Sequence, residues 1–80
     1  VKDREIDLRS NKILTIENLA VTRDQHDTMD LTNNELRRLD NFPRLSRLRT
    51  LLASSNAISV LDFEQGQKLP NLEMLILQNN

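Results

Sequence analysis

The chain has 80 residues, 38% of them hydrophobic, and its 11 Lys and Arg nearly balance 12 Asp and Glu. This size permits one domain with a modest core, because so short a chain buries only about 60% of its unfolded surface, and near-neutrality removes any global electrostatic pull toward nucleic acid or membrane. There is no cysteine, hence no disulfide, thiolate metal site or cysteine nucleophile, and no apolar run approaches the ~20 residues that span a bilayer.

The chain opens on Asp3-Arg-Glu-Ile6-Asp-Leu8-Arg-Ser-Asn11, in which Ile6 and Leu8 alternate within a short strand expected over Glu5–Leu8. A connection from Leu14 to Gln25 follows, with Ile16, Leu19 and Val21 as its apolar residues and a helical turn expected after Asn18 as N-cap. His26-Asp-Thr-Met29-Asp-Leu31-Thr-Asn-Asn34 repeats the opening phrase and predicts a strand over Thr28–Leu31. Its connection contains Asp40-Asn-Phe42-Pro43, where Pro43 suits the first position of a helical turn and Phe42 and Leu45 are expected to face the core. Leu48-Arg-Thr-Leu51-Leu-Ala53-Ser-Ser-Asn56 predicts the third strand, over Thr50–Ala53. The third connection, through Asp62, Gly66 and Leu69 to Pro70, is expected to end a turn of helix at Gly66 and to enter the next strand extended at Pro70. Leu72-Glu-Met-Leu75-Ile-Leu77-Gln-Asn-Asn80 then predicts a fourth strand over Met74–Leu77.

The asparagines recur at steps of 23, 22 and 24 residues, and apolar residues follow at fixed offsets as Ile13 and Ile16, Leu36 and Leu39, Ile58 and Leu61. Phrase and period together are the leucine-rich-repeat signature. One repeat cannot bury its apolar side alone, but stacked repeats share a continuous core and pair their strands in parallel. The expected fold is therefore an α/β leucine-rich-repeat solenoid, with parallel strands on the concave face and short helical or irregular convex connections. Residues 1–80 are read as one such domain of about three and a half repeats. Val1 at one end and an incomplete repeat at the other lead us to expect a fragment that lacks its C-terminal repeats and cap.

Asn11, Asn34, Asn56 and Asn80 stand where the chain leaves each strand, and their amides can both donate to and accept from the turns around them. They are expected to form a structural ladder. His26 occupies the first apolar position of its repeat and is expected to point toward the core or its edge. The residues contain no glycine-rich phosphate loop, no His–acid metal spacing and no paired carboxylate in a catalytic setting. No catalytic residue, metal, cofactor, small-molecule substrate or membrane contact is expected.

Strand residues alternating with the core set should line the concave face. By register the central column is Asp7, Asp30, Leu52 and Ile76; the column before it is Glu5, Thr28, Thr50 and Met74; the column after it is Arg9, Thr32, Ser54 and Gln78. Acids on the first two strands beside Leu52, Met74 and Ile76 on the next two suggest a helix with an apolar stripe and a basic flank as partner. Of these, Asp7, Arg9, Asp30, Thr32, Leu52, Ser54, Met74 and Ile76 are the expected partner-binding residues. Arg37, Arg38, Arg44 and Arg47 crowd the second connection as candidate RNA phosphate contacts, although Glu35 and Asp40 among them favour a solvated face.

Asp3 to Ile13, Ile16-Glu-Asn-Leu19, Asp24-Gln, Asp27, Asn34 to Pro43, Leu48-Arg-Thr-Leu-Leu52 and Leu75 to Asn80 resemble the A-prime family of the spliceosomal U2 small nuclear ribonucleoprotein. The resemblance covers essentially the whole chain, with His26 and the Gln65-Gly66-Gln67 connection marking a divergent homologue. It implies a nuclear, non-enzymatic scaffold of pre-mRNA splicing among other spliceosome proteins. In that family the concave sheet holds a helix of an RNA-recognition-motif protein of the B-double-prime type, and the pair binds a stem-loop of U2 RNA, so RNA contact comes mainly through the partner. Onto this chain it carries Asp7, Arg9, Asp30, Leu52, Met74 and Ile76 as partner-facing. The alternative is a leucine-rich-repeat adaptor of phosphatase-regulatory or cytoskeletal type, using the same face.

Overall fold

A computed structural model describes residues 4–19, 25–62 and 68–80. Strands β1 (Glu5–Asp7), β2 (Thr28–Asp30), β4 (Thr50–Leu52) and β6 (Met74–Ile76) form one parallel sheet in the order β1-β2-β4-β6. Each strand is one residue shorter than its pattern suggests. Leu8, Leu31 and Ala53 still donate their N–H groups to the next repeat, at 2.9, 2.6 and 2.9 Å. Immediately afterwards the chain turns, with Ser10, Asn33, Ser55 and Asn79 all at φ of 55 to 60°. This left-handed residue before each repeat asparagine is what ends the strand.

The side chains that alternate along the strands enter one core. Met29, Leu31, Leu51 and Ala53 are buried, joined from the convex side by Ile16, Leu36, Leu39, Phe42, Leu45, Leu48 and Leu69. Ile6, Leu8, Leu75 and Leu77 are half-buried and pack against that core from the outer strands. Every fully buried large side chain among the described residues thus falls on a position of the repeat phrase or its apolar continuation.

The convex side departs from expectation in four places. First, a 3₁₀ helix spans Ile16–Leu19, so Asn18 lies inside it rather than capping it. Buried Ile16 anchors its start, and Glu17 stands in its first turn, where the helix end favours an acid. Second, no helix begins at Pro43; the chain turns later, through a 3.4 Å bond from Leu48 N–H to Leu45 O. Leu45 N–H is already committed to Lys68 O of the next repeat at 2.9 Å, and Phe42, Leu45 and Leu48 all insert into the core. Inter-repeat bonding has displaced the helical bond. Third, Pro70 does not extend into β6 but occupies the second position of the turn Leu69–Leu72, closed by Leu72 N–H to Leu69 O at 3.3 Å. The fixed φ of proline suits that position. Fourth, a second parallel pair forms from β3 (Arg38–Leu39) and β5 (Val60–Leu61), which alternation alone had not indicated. The helix end expected at Gly66 lies outside the described residues.

Candidate partner-docking surface

The turns after the strands are held by the recurring asparagines. Asn34 Oδ1 accepts the N–H groups of Asn11 and Ile13 at 2.9 and 3.0 Å, while its Nδ2 donates to Leu8 O, Leu31 O and Thr32 O. Asn56 repeats this toward Leu36 N–H, Leu31 O, Ala53 O and Ser54 O, and Asn80 toward Ile58 N–H, Ala53 O, Leu77 O and Gln78 O. Each therefore bonds its own turn and that of the repeat before it. Asn11 differs: it is exposed and donates to Arg9 O within its own turn.

On the sheet so positioned, Glu5, Thr28, Thr50 and Met74 are register neighbours, and so are Asp7, Asp30, Leu52 and Ile76. Met74 is 53% exposed, and Leu52 and Ile76 are half-exposed beside it. Thr32 and Ser54 are also half-exposed. An apolar patch on two adjacent strands thus meets a polar half on the other two.

The polar half differs from a plain pair of exposed acids. Asp7 is exposed, but Asp30 retains only 8% of its surface. Asp30 stands on an interior strand between Asp7 and Leu52, whereas Asp7 stands on the edge strand; the Arg9 guanidinium grips Asp7 at 2.9 and 2.8 Å and lies 3.6 Å from Asp30 Oδ2. Both carboxylates also shape the backbone, Asp7 Oδ1 accepting Arg9 N–H at 3.1 Å and Asp30 Oδ1 accepting Thr32 N–H at 3.0 Å. The side-chain hydrogen bonds from Arg9, then that from its main-chain N–H, hold the Asp7 carboxyl down at about 2. Reciprocally, Asp7 raises the Arg9 guanidinium.

Sequence register did not single out the residues just before each strand. Arg4, Asp27, Arg49 and Glu73 occupy one column, since they precede the paired residues Glu5, Thr28, Thr50 and Met74. The Arg4 main-chain N–H donates to Asp27 Oδ2 at 3.3 Å and its guanidinium to Gln25 Oε1 at 3.2 Å, while Arg49 Nε donates to Glu73 Oε2 at 3.1 Å. A polar groove of about 240 Å³ lined by Asp27, Thr28, Arg49, Thr50 and Glu73 joins this column to the concave face. The signal was present as charges alternating in sign at repeat spacing. His26, which precedes Asp27, is half-buried.

Arg37, Arg38, Arg44 and Arg47 are all exposed, on the far side of the repeat. Arg38 pairs with Asp40 at 2.7 Å, and with Arg37, Leu14 and Ile16 it lines a convex cleft of about 320 Å³ that Arg44 and Arg47 do not line. The four arginines do not converge on one cavity. Among the described residues, no group of three or more His, Asp or Glu could hold a metal ion.

A family model described as leucine-rich repeat matches residues 1–80. The chain is 52% identical over 80 residues to the U2 small nuclear ribonucleoprotein A′ of Arabidopsis thaliana, and equally so to that of Homo sapiens, covering 32% and 31% of those proteins. It is 54% identical to the probable Caenorhabditis elegans counterpart. Among solved structures, the Drosophila melanogaster SNF/U2A′ complex contains a chain that superposes with a TM-score of 0.91 at 50% identity, over 98% of this chain and 45% of that one. The chain spans about a third of the length of the curated relatives it matches. Repeat geometry, asparagine ladder and matched sequence agree: the chain belongs to the leucine-rich-repeat family, and along its whole length it is a homologue of the U2 A′ proteins.

Proposed function

We propose that this segment is the partner-docking sheet of a non-enzymatic U2 ribonucleoprotein scaffold. On this reading it captures a helix of an RNA-recognition-motif protein such as SNF, so that affinity for the U2 RNA stem-loop resides in the pair, in the nucleus, during splicing. The observation that carries it is the exposed apolar patch of Leu52, Met74 and Ile76 on adjacent strands of a concave sheet. A helix laid in a trough buries its apolar stripe on such a patch. Support comes from the half-identical A′ relatives and from the close superposition on a chain of the SNF/U2A′ complex. Asp7, Arg9 and Asp30 then form one polar flank, and Thr32 and Ser54 border the patch as neutral contacts.

Leu52→Arg in the full-length protein tests this. A guanidinium forced against the partner's apolar stripe should weaken binding of the RNA-recognition-motif partner by about 2 kcal/mol or more, measured by titration calorimetry, with the melting temperature unchanged. Unaltered affinity would remove this face from the interaction.

A further inference from the structure

The charged column Arg4, Asp27, Arg49, Glu73 alternates in sign from one repeat to the next. Exposed ion pairs of this kind add little to stability. Arg49 and Glu73 have side chains 58% and 62% exposed, and Arg4 is exposed as well. What fixes the backbone here is different: Arg4 O accepts both Asp27 and Thr28 N–H, Asp27 O accepts both Arg49 and Thr50 N–H, and Arg49 O accepts both Glu73 and Met74 N–H, at 2.7 to 3.1 Å. Apart from the Asp27 carboxylate, which also accepts the Arg4 main-chain N–H of the preceding repeat, the charges add little to stacking, yet all four line the rim of the concave face.

We infer that this rim selects a helix whose facing edge carries acid, base, acid, base at successive turns, and so sets both the register and the direction of the docked helix. The inference rests on the helix-docking reading above. Adjacent strands stand about 4.8 Å apart, close to the ~5.4 Å rise of one helical turn. A helix running across the four strands thus offers one residue per rung, at positions three or four apart. Opposite Arg4, Asp27, Arg49 and Glu73, the order acid, base, acid, base meets an opposite charge at every rung. Sliding the helix by one rung sets like against like throughout the overlap, and reversing its direction does so at all four rungs. Like-charge contacts at an interface rim reject wrong partners more than they strengthen right ones. The Arg49–Glu73 ion pair, the bond from the Arg4 guanidinium to Gln25 Oε1 at 3.2 Å and that from the Arg4 main-chain N–H to the Asp27 carboxylate keep these side chains ordered before the partner arrives, which lowers the cost of aligning them.

The test inverts half of the column while keeping its internal pair: Arg49→Glu with Glu73→Arg in the full-length protein, titrated with SNF at low and high salt. The expected result is an unchanged melting temperature and affinity reduced at least tenfold in dilute buffer, the difference shrinking as salt screens the rim. A neutral pair, Arg49→Gln with Glu73→Gln, should fall between parent and inverted variant and guards against misfolding of the latter. Parent-like affinity of both variants in dilute buffer overturns the inference. With Leu52→Arg measured in parallel, the two failures separate: loss of binding there with no effect of inversion overturns the rim alone, while no effect of Leu52→Arg overturns the docking reading itself.

Discussion

Asn34 accepts the main-chain N–H of Asn11 at 2.9 Å across 23 residues of sequence, so one side chain ties the exit turn of one repeat to that of the next. It is 8% exposed and serves two amides and three carbonyls. Asn34→Ala strands these groups and should cost about 1–3 kcal/mol in chemical denaturation of the full-length protein. Asn11→Ala, which loses one bond to Arg9 O at an exposed site, should cost under about 1 kcal/mol. Equal losses at the two positions would show that the ladder does not act through bonds between repeats.

Asp30 offers a cleaner separation of charge from hydrogen bonding. Asp30→Asn retains an acceptor for Thr32 N–H and gives up only the 3.6 Å approach to the exposed Arg9, so the loss should stay below about 1 kcal/mol. Asp30→Ala removes the acceptor as well and should cost about 1–2 kcal/mol. The order of the two in urea unfolding is the check.

Asp7 predicts a pH dependence with a definite sign. Its folded carboxyl titrates at about 2 against 3.8 without its partners, so its contribution is fully present above about pH 4 and disappears as pH falls toward 2. Asp7→Asn has no such carboxyl to protonate. Melting temperatures followed from pH 5 to about pH 2 should fall less steeply in Asp7→Asn than in the parent; parallel curves would mean that Arg9 does not hold the carboxylate in solution.

Ser55 sits at φ 55° with its N–H donated to Gln78 O at 2.9 Å. Left-handed backbone costs a residue with a Cβ about 1–2 kcal/mol, and glycine escapes this while losing ~0.5–1 kcal/mol of chain entropy. Ser55→Gly should therefore raise stability by about 0.5–1 kcal/mol. The same change at Ser10 should gain less, because Ser10 Oγ accepts Asn33 Nδ2 at 2.9 Å. Differential scanning calorimetry of the two variants distinguishes them.

The repeat phrase by itself determined the parallel sheet, its strand order, the buried set around Met29, Leu31, Leu51 and Ala53, and the outward column of Asp7, Leu52 and Ile76. These follow from two local facts: side chains alternate along a strand, and a fixed step superimposes equivalent residues. What only the tertiary structure decided depends on groups brought together from different repeats. Asp30 is buried between strands of the repeats on either side, with Arg9 of the preceding repeat 3.6 Å from its carboxylate; the expected turn at Pro43 gave way because Leu45 N–H bonds Lys68 O; Pro70 turns rather than extends; and Arg4, Asp27, Arg49 and Glu73 become one rim. A pattern within one repeat records which side chains prefer the core, whereas the covering of an acid and the alignment of a charged edge are settled by the repeat next to it.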